Sequence, residues 1–215
     1  MYGPSFESIG ADGAAKIKDM NYAATETGDA MLLIDPVTAE YTELVYIAQA
    51  DINDTVGEGG VPGWYFDNGD DTFTYKGEDT VSLGCAFWLF AGNGSVNLTD
   101  AGEVKGDFSR TLPGGLYSAF ANPFPCNVPL KTFVYGATET GDAMLLIDLE
   151  TAAYTELVYI AEADLEDTVG EGGVAGWYYD NGDDTFTYKG NDVLVPGQGC
   201  WIFPGNGTVT ITASL

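Results

Sequence analysis

A block of sequence occurs twice in this chain, about 113 residues apart, and that repetition limits the fold more than any other feature. Ala24–Asp35 is identical to Ala137–Asp148. The same register, without a gap, carries Tyr41–Ala48 onto Tyr154–Ala161, Gly63–Tyr65 onto Gly176–Tyr178, Asp67–Gly77 onto Asp180–Gly190 and Gly92–Gly94 onto Gly205–Gly207. Roughly 55 positions agree between Ala24–Thr99 and Ala137–Thr212, which makes each copy one structural unit. The 215 residues divide into a first module over 1–100, a connector over 101–113 and a second module over 114–215. Each module is long enough to bury a core of its own. Upstream, Met1–Tyr22 agrees with the second copy only at scattered positions, such as Ser5 with Ser118 and Lys18 with Lys131. Ala101–Leu112 has no counterpart, and its mixture of apolar and polar residues predicts a packed, strand-like connector.

Within one copy the periods are those of strands. Ala30–Ile34 is a short apolar run, Asp35–Glu40 carries the Asp and Pro of a turn, and Tyr41–Ala48 is rich in strand formers. These predict a hairpin. A Gly-rich loop over Thr55–Gly60 follows, then a second hairpin around Asp67–Asp71. Cys85–Phe90 and Ser95–Thr99 predict a third strand pair around Gly92–Gly94. The fold class expected is all-β, with two tandem homologous antiparallel β-sandwich or partly open barrel domains.

Charge narrows the partners. Against 33 acidic residues stand 7 basic ones and no His, a net charge of -26. Such a field repels phosphate backbones and anionic lipid, so neither nucleic acid nor membrane insertion is expected. It also opposes self-association unless salt or divalent cations screen it. No run approaches the roughly 18 apolar residues of a membrane-spanning helix. Met1–Ser5 carries neither the basic region nor the apolar run of a signal peptide, so the expectation is a processed form or another route of export.

Several residues are candidates for chemistry. Asp67, Asn68, Asp70 and Asp71, with their copies Asp180, Asn181, Asp183 and Asp184, place hard oxygens around a Gly, as Ca²⁺ requires. The spacing is not that of an EF-hand, and the same residues stabilise a tight turn without metal. Asp51, Asp54 and Glu58, with Asp164, Asp167 and Glu171, form a second acidic loop open to the same two readings. Cys126 and Cys200 share a module and are the candidate disulfide, the alternative being three buried thiols with Cys85. Trp64, Trp88, Trp177 and Trp201 suit either a sugar-stacking platform or core packing between strands. The chain is not expected to be an enzyme. It has no His to act as a base near neutral pH, no Ser or Cys in a nucleophile-elbow context and no phosphate-cradling loop.

In the second copy the words Asn122–Pro123–Phe124–Pro125, Met144–Asp148, Trp177–Tyr178 and Pro196–Phe203 fall in an order that resembles a β-module of secreted and surface proteins of Gram-negative bacteria. That module runs N-P-(Y/F)-P, a Tyr-rich hairpin and P-G-x-G-F-W. The resemblance covers nearly all of residues 114–213 and implies an extracellular or cell-surface building block with no shared catalytic activity. The first copy departs from it, with Ile9–Asp12 in place of Asn-Pro-Phe-Pro and Leu83–Ala86 in place of Pro-Gly-Gln-Gly.

Near-identical modules present quasi-equivalent faces, so the leading functional expectation is a structural subunit that self-assembles into a filament or surface layer. Tyr2, Phe6 and Ile9 mark a candidate donor strand to complete a neighbour's sheet. The alternatives are an adhesive, glycan-binding surface module and a viral decoration or fibre protein. An exposed row of Trp and Tyr favours the glycan reading, and buried aromatics count against it.

Overall fold

The computed structural model describes residues 14–22, 24–35, 37–92, 98–99, 106–148 and 151–215. The candidate donor residues Tyr2, Phe6 and Ile9 lie outside them. The first module supplies β1 (Ala14–Lys16), β2 (Asn21–Tyr22), β3 (Ala30–Ile34), β4 (Tyr41–Ile47), β5 (Gly63–Asp67), β6 (Phe73–Tyr75), β7 (Thr80–Ser82), β8 (Phe87–Phe90) and β9 (Leu98–Thr99). There follow β10 (Asp107–Leu112), β11 (Ser118–Ala121), β12 (Val128–Pro129), β13 (Val134–Tyr135), β14 (Ala143–Ile147) and β15 (Tyr154–Ile160). The chain ends with β16 (Gly176–Asp180), β17 (Phe186–Tyr188), β18 (Val193–Leu194), β19 (Gly199–Phe203) and β20 (Val209–Ser214). Two one-turn helices, α1 (Ile52–Thr55) and α2 (Leu165–Thr168), sit in equivalent loops. The glycine content of those loops hides them. Each is anchored by one buried aliphatic residue, Ile52 or Leu165, that packs on a buried tyrosine, Tyr65 or Tyr178.

The architecture is all-β and antiparallel. One five-stranded sheet runs β6-β5-β4-β3-β8, and one six-stranded sheet runs β11-β19-β14-β15-β16-β17. In the second module a three-stranded sheet, β10-β20-β13, closes the sandwich. Strand alternation explains why. In β20, Val209, Ile211 and Ala213 point into the core while Thr210, Thr212 and Ser214 face out. Across that core stand Phe120, Met144, Leu157, Trp177 and Ile202 of the six-stranded sheet. The first module's core packs Met31, Leu44, Tyr46, Trp64 and Phe87 against Ile17, Tyr22 and Val81.

The hairpins β3–β4 and β5–β6 form as the sequence predicts, and so do their copies β14–β15 and β16–β17. The third predicted pair does not. β9 pairs with β2, and its copy β20 pairs with β10 and β13, while β8 and β19 belong to the opposite sheets. The turn at Gly205–Gly207 is therefore a crossover between the two layers, pinned by a buried carboxylate. Asp142 Oδ1 accepts the amide of Gly205 at 2.8 Å, and Asp29 Oδ1 accepts that of Gly92 at 2.8 Å.

From Asp107 to Leu112 the segment expected as a connector is packed and strand-like. It is also a full member of the second sandwich, since Asp107–Leu112 runs in register with Val209–Ser214 and buries Phe108 and Leu112. From this strand Arg110 fastens the modules together. Its Nη1 donates to Gly84 O of the first module at 2.6 Å and to Ala119 O of the second at 2.7 Å. Beside it the Ala121 amide donates to Gly84 O at 3.0 Å, and Cys85 and Phe120 form a β-bridge. Ile34, Ala86, Ala119, Ala121, Ile147 and Trp201 seal the junction with apolar contact.

Gly84 has φ +76°, and a Cβ there would lie 2.5 Å from the Phe108 ring. Gly84→Ala is expected to cost roughly 2–4 kcal/mol from backbone strain and overpacking, read as a lowered midpoint in urea unfolding. Arg110→Ala removes a charged donor from two carbonyls, and differential scanning calorimetry is expected to resolve separate transitions for the two modules.

Candidate functional site

The outer faces of the two large sheets, turned away from the sandwich cores, meet at the junction and then diverge. Between them lies an open cleft of about 550 Å³, lined by Leu32, Tyr41, Trp88 and Phe90 of the first module and Tyr117, Leu145, Tyr154 and Trp201 of the second. Three of these pairs, Leu32 with Leu145, Tyr41 with Tyr154 and Trp88 with Trp201, occupy the same position of the repeat. One patch of the module has therefore been used twice, face toward face, as in an isologous interface.

Period-2 alternation places these side chains. Met31 and Leu33 of β3 turn into the core, so Leu32 turns outward, where it stands opposite Trp88 on β8 and Glu43 on β4. In the second module Leu145 stands opposite Trp201 and Glu156. Glu43 and Glu156 are exposed and share the faces of Tyr41 and Tyr154, which puts a carboxylate beside the aromatic floor on each side. The rings are only partly satisfied by one another. Tyr41 meets Trp201 edge-on at 6.4 Å, Tyr117 meets Trp201 at 6.4 Å and Phe203 at 4.9 Å, and Trp88 stacks on Phe90 at 6.2 Å. Tyr41 keeps 59% of its surface exposed, Tyr154 and Phe90 51% each and Tyr117 45%. A concave, contiguous apolar surface of this kind is a candidate binding site rather than a scattering of surface hydrophobics.

The four tryptophans thus divide. Trp64 and Trp177 are core residues, 3% exposed, each closed in by two tyrosines: Tyr22 and Tyr46, or Tyr135 and Tyr159. Trp88 is a half-buried wall of the cleft, whereas Trp201 is 8% exposed and presents only an edge there, the rest of its ring sealing the junction.

The acidic turns are spent on their own geometry. Asp67 Oδ1 accepts the Gly69 amide at 2.8 Å, Asp70 accepts the Thr72 hydroxyl, and Asn68 Nδ2 donates to Thr72 and Thr74. Asp180, Asn181 and Asp183 repeat these bonds, and Asp71 and Asp184 take φ of 60° and 62°. In the second loop Asp51 accepts the Thr27 hydroxyl at 2.6 Å. Among the described residues no three carboxylates or thiols converge on a point that could hold a metal ion. These bonds are the ones the turn reading expects of Asp67, Asn68, Asp70, Asp180, Asn181 and Asp183, and Asp71 and Asp184 shape the bend.

The Cys126–Cys200 disulfide is not formed either, for all three thiols are free. Cys200 on β19 points into the second core, whereas Cys126 is exposed at the end of the Asn122–Cys126 turn, where its carbonyl accepts Asn122 Nδ2 at 2.8 Å. Asn122 is wholly buried and also bonds Leu194 O and the Phe124 amide, so the Asn-Pro-Phe-Pro word is a structural clamp. Desolvation pushes the Cys200 thiol up to about 12 and raises that of Cys85 as well.

Sequence reasoning missed two buried acids. Asp29 accepts Tyr22 Oη at 2.6 Å and Asp142 accepts Tyr135 Oη at 2.7 Å, deep beneath the crossover turns. The available signal was their identity in both copies, next to tyrosines retained where the rest of the N-terminal sequence diverges.

Both phenols are raised above 10, first by burial and then by the bond to the carboxylate. Their folded values exceed the unfolded one, so the stability they contribute is full below pH 10 and falls as pH rises beyond it. Tyr22→Phe with Tyr135→Phe is expected to flatten the loss of stability between about pH 10 and 12, followed by circular dichroism. With a thiol reagent at pH 8 the native chain is expected to react at Cys126 alone and, after denaturation, at all three cysteines. Comparison with protein-family models, with curated proteins and with solved structures finds no match to this chain.

Proposed function

We propose that this chain is a non-enzymatic, extracellular or cell-surface binding module that takes a glycan chain in the cleft between its two β-sandwiches. The single observation that carries the reading is the pairing of Trp88, Tyr41 and Leu32 with Trp201, Tyr154 and Leu145 around one open groove. Flat aromatic faces suit the C–H faces of pyranose rings, and Glu43 and Glu156 at the sides are acceptors for sugar hydroxyls. A groove walled by the same residues on both sides suits a polymer whose own chemistry repeats. The -26 charge supports a neutral or sparsely charged sugar over nucleic acid or anionic lipid.

The test is a glycan array followed by titration of the best ligand against tryptophan fluorescence. Trp88→Ala and Tyr41→Ala are each expected to weaken binding by about tenfold or more, in line with the roughly 1–3 kcal/mol of a stacked ring. Trp177→Phe, in the core, is expected to leave affinity unchanged. Binding that is indifferent to Trp88, Tyr41 and Trp201 would remove the cleft from consideration.

Self-assembly through sheet edges is a second reading, favoured by how the second module's sheet is completed. There β19 takes β11 as its outer neighbour, and the repeat register carries Ser118–Ala121 onto Ser5–Ser8, in the segment of Tyr2, Phe6 and Ile9. On this reading that segment serves as the equivalent strand for a neighbouring copy. Negative-stain microscopy with and without millimolar Ca²⁺ is expected to show ordered assemblies that deletion of Met1–Asp12 abolishes. Monodisperse particles in both conditions would sink it.

A further inference from the structure

Each module also carries a pocket of its own, on the far side of its buried tryptophan from the core. In the first module Lys18, Tyr22, Tyr46, Trp64 and Tyr75 line about 230 Å³; in the second, Lys131, Tyr135, Tyr159, Trp177 and Tyr188 line about 310 Å³. Small-molecule sites start at about 300 Å³, so only the second reaches that size. The tyrosine forming one wall is held in place by two glycines. A Cβ at Gly190 would lie 2.0 Å from Tyr188 Oη and one at Gly176 3.0 Å from its ring, and Gly63 and Gly77 flank Tyr75 in the same way.

The two pockets differ in what faces the lysine. In the first, Glu78 lies between Lys16 and Lys18 and neutralises charge at the mouth. The repeat register replaces Glu78 with Asn191, within the otherwise unchanged Lys76–Asp79, and Lys16 with Pro129 in the divergent N-terminal segment. Lys131 Nζ accordingly donates to the neutral Asn191 Oδ1 at 2.8 Å. Among the described residues Lys16, Lys18, Lys76 and Lys189 each pair with a carboxylate, which leaves Lys131 as the lysine without an acidic partner, and Arg110 is taken up by two carbonyls at the junction. The second module has an aromatic pocket with a cation at its mouth and the amide of Asn191, with two N–H donors, beside it.

We propose that this pocket binds a carboxylated sugar, a uronic acid, with the carboxylate on Lys131 and Asn191 and the pyranose ring against the tyrosine wall. The net charge of the chain does not forbid this, because exposed charges beyond about 8 Å are screened at physiological salt. The proposal does not rest on the cleft, which lies at the module junction and shares no residue with the pocket.

The experiment is an amide NMR titration of the full chain with sodium glucuronate, with glucose as the neutral control and a glucuronate oligosaccharide as a third arm. Glucuronate is expected to shift resonances around Lys131, Gly190 and Asn191 with an affinity on the order of millimolar, and glucose to leave them unmoved. Asn191→Glu installs the carboxylate that the first module already tolerates, so it keeps the fold and is expected to weaken glucuronate by about tenfold or more. Lys131→Met is expected to do the same. Tighter binding of the oligosaccharide assigns the site to a polymer, and equal binding assigns it to the free sugar. Absence of shifts, equal binding of glucose, or an Asn191→Glu variant that binds as the parent does would each overturn the proposal.

Discussion

The arrangement of this molecule depends on one guanidinium. Arg110 is a member of the second module's smaller sheet, yet it donates to a backbone carbonyl of each module. A charged donor bonded to a carbonyl is worth about 1.5–3 kcal/mol, more than any exposed ion pair in the chain can supply. Its position also explains why the junction is so small-sided. Ala86, Ala119 and Ala121 bring two backbones close, and Gly84 leaves room for the edge of Phe108. Removal of these constraints would leave two sandwiches joined by little more than the covalent chain, with no fixed cleft between them.

The second layer of organisation is polar and internal to each module. Asp29 and Asp142 each receive a phenol from one layer and the amide of a crossover glycine from the other. A carboxylate without such donors would be costly to bury, so the crossover and the Tyr-Asp bond stand or fall together. The Tyr-Tyr-Trp cluster packed over each acid excludes water and fixes the floor of the pocket above it. Core and candidate ligand surfaces are two sides of the same rings.

Much of this was legible in the letters. The constant register of the repeat, the strand-forming run Tyr41–Ala48 and the Asp-Pro and Asn-Gly turns gave the all-β class and four of the hairpins. The third strand pair was misread because a short Gly-rich turn has the same composition whether it reverses a strand within one sheet or carries the chain to the other. What distinguishes the two is Asp142, far away in sequence, and local pattern carries no trace of it. The cleft was half legible. Trp64 and Trp88 look alike as strand tryptophans, and only pairing shows that one faces Tyr22 and Tyr46 while the other faces outward beside Leu32. The acidic clusters read two ways in the letters, since turns and cation sites draw on the same side chains.

The identity of the hairpins β3–β4 and β14–β15 has a consequence for how such a chain reaches its native state. Ala-Met-Leu-Leu-Ile and Tyr-Thr-Glu-Leu-Val-Tyr-Ile occur in both, so β3 pairs with β15 as favourably as with β4 as far as side chains can tell. Nothing in the strands themselves discriminates native from exchanged pairing. Discrimination falls to the short connection within each hairpin and to segments whose sequence differs between the copies, Ser118–Ala121 against Ser5–Ser8 among them. Repetition that makes the cleft symmetric also opens a route to domain-swapped misfolding, and sequence divergence outside the repeat core is what closes it.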